Sequence, residues 1–132
     1  MTNGGLTPKT ARAEGLRNLR RVYGAQTNKL LRHLKRIEPS LPRRVVEEAY
    51  GRVMSRSGLS LAERELINVV VLFIQSYERQ LFSHLRGALK NGVSPDALRT
   101  VLQLAATRRK LDTKSAFETI GRIDRSLARG SF

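Results

Sequence analysis

With 132 residues, 40% of them hydrophobic, the chain is long enough for one domain with an apolar core and too hydrophobic to be disordered throughout. It has no cysteine and only two histidines, His33 and His84, far apart in sequence, which excludes disulfide staples, thiol chemistry and any recognisable zinc or iron site; no metal or other cofactor is expected. Lys and Arg number 25 against 11 Asp and Glu, a formal charge of +14, of which residues 1–58 carry +9, so the front half attracts polyanions of any kind.

Residues 1–6 contain two glycines and no pattern and are expected to be a flexible tail, with one domain over 7–132. Thr7-Pro8 offers an N-cap and a first-turn proline, and Gly24 a stop, so a helix is predicted between them. It turns Leu16, Leu19 and Val22 or Tyr23 inward and Arg12, Arg17, Arg20 and Arg21 elsewhere. A second helix over residues 26–37 has Leu30, Leu31, Leu34 and Ile37 as its stripe, beside Lys29, Arg32, His33, Lys35 and Arg36. Residues 7–38 therefore form a basic helical pair, in which His33 has no assigned role. Pro39 and Pro42 mark a linker and the start of a third helix, 43–57, expected to bury Val45, Val46, Ala49, Tyr50 and Val53 before Gly58 ends it.

The stretch 59–92 is the organising element. Ser60 and Glu63 have capping-box spacing, which starts a helix near Leu61. Residues 66–74, LINVVVLFI, are apolar at every position but Asn68, so this helix is expected to be buried nearly all round. After Gln75-Ser76 the pattern turns amphipathic, with Leu81, Leu85, Ala88 and Leu89 on one stripe and Asn91-Gly92 as the C-cap. His84 falls on that apolar stripe and Glu65 sits one turn into the apolar helix. Both need a partner there, and antiparallel packing across a short connection would let them meet. A satisfied core histidine is the competing reading of His84. Ser94-Pro95 opens the next helix, to about Arg108, with Leu98, Val101, Leu102, Leu104 and Ala105 inward, completing a core segment of residues 43–108. Asp112 or Thr113 caps a last helix over 112–129 that buries Ala116, Phe117, Ile120, Ile123 and Leu127. Seven helices account for nearly the whole chain, and the fold class is all-α.

Residues 49–106 resemble the carboxymuconolactone decarboxylase family of the alkylhydroperoxidase D-like superfamily. The resemblance is carried by Tyr50-Gly51, SRSGL at 55–59, ERE at 63–65 and HLRGALKNG at 84–92. It implies an alkylhydroperoxidase D-like helical domain that assembles with itself, as trimers or hexamers. Redox members place two cysteines where this chain has Tyr77 and Gln80, so thiol peroxidase chemistry is excluded. The lactone decarboxylases keep the histidine without cysteines, which makes His84 the acid/base candidate and matches Glu65 to the proton-relay glutamate. Arg64 matches a basic position of the decarboxylase branch. With Arg56 and Arg86 it is a candidate to hold a substrate carboxylate through bidentate hydrogen bonds. Arg56 and Arg86 also fit solvated surface charges. The chain departs from the family after Ala105-Ala106, where Arg108, Arg109 and Lys110 replace an aromatic residue and a glycine.

Two function classes follow. One is a lyase or isomerase acting by acid/base chemistry on a small carboxylated lactone or keto acid. The other is a non-catalytic basic scaffold that binds nucleic acid through phosphate contacts from Arg20, Arg21, Lys35, Arg36, Arg43, Arg44, Arg108, Arg109 and Lys110. No Gly-rich phosphate loop or exposed-serine turn is present, and no segment reaches the roughly 20 apolar residues of a membrane span. A cytoplasmic location is expected.

Overall fold

The computed structural model describes residues 6–130; apart from Leu6, the tail expected over 1–6 lies outside them. Among the described residues there are seven α-helices, one 3₁₀ turn and one π-helical stretch, and no strand. The fold is all-α, as the hydrophobic periodicity requires. The chain divides into two compact units, one ending at Leu61 and the other starting at Ala62.

The first unit holds α1 (Pro8–Tyr23), the turn Gly24–Gln26, α2 (Thr27–Ile37) and α3 (Leu41–Arg44), which runs on as a π-helix, Val45–Val53. The start of α1 follows its cap: Thr7 Oγ1 accepts a hydrogen bond from the Thr10 amide at 3.2 Å, and Pro8 needs no partner for a missing N–H. Gly24, at φ 55°, ends the helix. The π-helical stretch corrects the expected inward face of the third helix. Its bonds run i→i+5, as from the Met54 amide to the Ala49 carbonyl at 2.9 Å, and the widened turn shifts which residues point inward. Val46, Tyr50 and Gly51 are buried, while Ala49 and Val53 are exposed.

α1 crosses this stretch at backbone contact. A Cβ on Gly15 would lie 1.8 Å from the Val46 carbonyl oxygen, and one on Gly51 would lie 2.2 Å from that of Ala11. Only glycine fits either position. Beside the crossing, the buried Asn18 amide donates to the Tyr50 carbonyl at 3.0 Å and to Ser55 Oγ at 2.9 Å, occupying a polar group that the end of the π-helix exposes. Leu19, Val22, Val46, Tyr50 and Leu61 form the core of this unit, with Tyr23 edge-on to Tyr50 at 6.2 Å between ring centroids. Leu30 and Leu31 of α2 pack against it, but Ile37 is exposed, so the expected stripe of α2 stops short of its last residue.

The second unit takes in nearly all of α4 (Leu61–Ile74), with α5 (Glu78–Lys90), α6 (Pro95–Arg109) and α7 (Lys114–Ala128). One apolar cluster joins the four: Val69 and Phe73, then Leu81, Leu85 and Ala88, then Leu98, Leu102 and Ala106, then Ala116, Ile120 and Ile123. Local chemistry sets the ends. Gly92, at φ 96°, lets its own amide reach the Leu89 carbonyl and the Val93 amide reach that of Ala88, the paired bonds of a Schellman stop. Ser94 Oγ accepts from the Ala97 amide at 3.1 Å to open α6, and Asp112 Oδ1 accepts from the Lys114 amide at 3.1 Å to open α7.

Two burial expectations for this unit are corrected. α4 is not covered all round: Ile67 and Val71, one turn apart, are 51% and 45% exposed. The unit packs only one side of the helix, and a continuous apolar run says nothing about what covers the other side. Leu104 is likewise exposed, because α6 faces the core through Leu98, Leu102 and Ala106. Among the described residues no helix is long and apolar enough to cross a membrane.

Candidate active site

Glu65 lies in the second turn of α4 and His84 in the second turn of α5, and the fold brings them together. His84 Nδ1 is 2.8 Å from Glu65 Oε2. The glutamate side chain is 0% exposed and the imidazole 13%, so the carboxylate lies behind a ring whose edge is open. Since a carboxylate accepts, the bond assigns the proton to Nδ1 and leaves Nε2 as the nitrogen that takes up or gives a proton. The second carboxylate oxygen, Oε1, is buried and makes no hydrogen bond among the described residues. An oxygen of that kind costs on the order of 1–3 kcal/mol, which an apolar residue in its place would not. The pair is therefore a poor way to stabilise a core and a good way to fix the orientation of an imidazole.

The three arginines stand in different surroundings. Arg64 is half-buried on α4, next to Glu65 in sequence. Arg86, for which solvent exposure was one expectation, is only 6% exposed. Burial lowers its pKa from the usual arginine value. Nearby, Lys90 is lowered as well, first by burial and then by the Arg86 charge one turn away. Arg86 lies two positions after His84, a rotation of about 200° around α5. Arg56 is exposed in the segment that precedes α4.

The nine cations considered for phosphate contact are all exposed. Arg20 and Arg21 lie at the end of α1, Lys35 and Arg36 at the end of α2 and Arg43 and Arg44 at the end of α3; Arg108 and Arg109 end α6, with Lys110 as its cap. What the sequence reading passed over is a groove lined by Lys29, Arg32, Lys35 and Arg36, all from α2. Its signal was available in the spacing, since 29, 32 and 36 recur at helical intervals. Among the described residues no three His, Cys, Asp or Glu gather as a metal site would need.

Comparison with known proteins bears on the same region. The family model of carboxymuconolactone decarboxylases matches residues 39–117, a stretch that includes Glu65, His84 and all three arginines. The chain is also similar to a 4-carboxymuconolactone decarboxylase from Acinetobacter baylyi, 31% identical over 90 residues, which is 67% of this chain and 67% of that protein. The family match spans more than half of the 132 residues, and with a relative at this identity the chain belongs to the carboxymuconolactone decarboxylase family.

Proposed function

We propose that the chain is a decarboxylase-like enzyme in which His84 moves a proton on a small carboxylated lactone or keto acid. The observation that carries this reading is the 2.8 Å bond from His84 Nδ1 to the buried Glu65 carboxylate. When a carboxylate leaves as carbon dioxide, the electron pair of the broken bond passes into the adjoining unsaturated or carbonyl system. A proton must then be delivered to carbon, and an imidazole at hydrogen-bond distance can supply it. His84 takes a proton at Nε2 and returns it there. While both ring nitrogens are protonated, Glu65 balances the charge inside the protein, where solvent does not. Such proton transfer typically contributes about 10²–10⁴-fold in rate.

A departing carboxylate also has to be held. Arg64, half-buried beside Glu65, is assigned that role ahead of Arg86, whose direction around α5 differs from that of His84. Arg56 is the third candidate. Self-association fits the exposed pair Ile67 and Val71, two large apolar residues on one face of α4. Light scattering of the purified protein tests it, and a monomer at all concentrations would refute it.

The activity is tested by offering carboxylated lactones and keto acids to the wild type and following carbon dioxide release. His84→Ala and Glu65→Gln are expected to lose about 10²–10⁴-fold of the turnover while remaining folded, as circular dichroism reads it. Full activity in both variants would overturn the assignment.

A further inference from the structure

The charge of the first unit is unevenly neutralised. Of its four acidic side chains, three are engaged away from α2, Glu14 with Arg17 at 3.1 Å, Glu48 with Arg52 at 3.2 Å, and Glu47 with Arg12 and Arg43, each at 3.7 Å, and the fourth, Glu38, is the C-cap of α2. Glu38 accepts hydrogen bonds from the amide and hydroxyl of Ser40, which hold its carboxyl below the usual glutamate range. α2 itself, TNKLLRHLKRI, contains no acidic residue. Lys29, Arg32, Lys35 and Arg36 form no ion pair among the described residues, and Arg36 has only His33 within hydrogen-bond distance, at 3.5 Å. These four exposed cations line one groove, at spacings of three and four residues that bring like charges next to each other. Such neighbours destabilise a helix, so the arrangement calls for an external polyanion.

We infer that the exposed face of α2 docks on the phosphodiester backbone of a nucleic-acid duplex, through Lys29, Arg32, Lys35 and Arg36. Arg36 lies seven positions after Lys29, a rise of about 10 Å along the helix, so the row can follow a strand over more than one phosphate. α2 carries no Phe, Tyr or Trp on which a base could stack, and only the small ring of His33, which favours a duplex backbone over single strands. An anionic membrane is a poorer fit. An interfacial helix inserts its apolar face, and here Leu30 and Leu31 are already packed in the core of their own unit. The surface is independent of His84 and needs no catalysis.

The test is fluorescence anisotropy of labelled, random-sequence DNA and RNA duplexes with the full chain, from about 50 to 200 mM salt. The two duplexes separate the possible sources of the shared backbone chemistry. A variant with Lys29, Arg32, Lys35 and Arg36 all changed to Gln is compared with one in which the exposed Arg79, Lys114, Arg125 and Arg129 are changed to Gln, an equal loss of charge elsewhere. The α2 variant is expected to bind at least tenfold more weakly at about 100 mM salt, with a flatter salt dependence, and the second variant to stay within about threefold of the wild type. A third variant that exchanges Lys for Arg and Arg for Lys at the four α2 positions is expected to keep the binding, which separates lost charge from lost folding. No wild-type binding, an equal loss in both Gln variants, or stronger binding to phosphatidylserine vesicles than to either duplex would overturn the inference.

Discussion

The two units solve the packing of helices in different ways. In the first, α1 and the π-helical stretch meet backbone to backbone through Gly15 and Gly51, and the polar group left by the wide turn is taken up by Asn18. In the second, α4 to α7 share a continuous apolar cluster, and the polar pair set into the unit, Glu65 with His84, leaves one carboxylate oxygen without a hydrogen bond. Among the described residues, the polar groups buried in the first unit have partners and serve structure. In the second, polar burial is incompletely satisfied, which fits the role in proton transfer proposed for the pair.

The largest expected effect falls on the first unit. Gly15→Ala and Gly51→Ala each force a methyl into a carbonyl oxygen and are expected to lower stability by about 3 kcal/mol, read from chemical denaturation. A loss well below about 1 kcal/mol would mean that the helices can separate at little cost. In the second unit the comparison predicts the opposite sign. Changing Glu65 and His84 together to Leu is expected to leave stability unchanged or raise it by about 1–2 kcal/mol, with proton transfer abolished. Strong destabilisation would make the pair structural. Asn18→Ala is expected to cost about 1–2 kcal/mol, since the Tyr50 carbonyl loses its amide donor. Smallest is Lys110→Gly. Lys110 caps α6 in the left-handed region, at φ 55° and ψ 45°, where a side chain is strained, so glycine is expected to add up to about 1 kcal/mol.

Much of this was legible in the sequence where the physics is local. Thr7-Pro8 and Ser94-Pro95 open helices where their capping chemistry says, and Gly24 and Gly92 end them. The meeting of Glu65 and His84 was legible too, because two polar side chains on apolar helical faces each required a partner. What depends on the neighbouring helix was not. The run around Val69 to Val71 is apolar enough to be buried on every side, yet nothing in it says that Ile67 and Val71 lack a cover. The π-helical turn moved Ala49 and Val53 outward, and no periodicity argument built on 3.6 residues per turn could place them. Arg86 is buried although its charge suggested water, and Gly15 had no turn or cap to mark it as a contact point.

The central claim is that a buried carboxylate fixes the orientation and tautomer of His84. Nitrogen-15 NMR of the two histidine rings tests it without any substrate, at a pH where the ring is neutral, with His84→Ala used to assign the signals. The wild type is expected to show His84 protonated at Nδ1 with the lone pair on Nε2, and Glu65→Leu to relax it toward the Nε2-protonated form that a free imidazole prefers. A wild-type ring protonated at Nε2, or a tautomer indifferent to Glu65→Leu, would contradict the account.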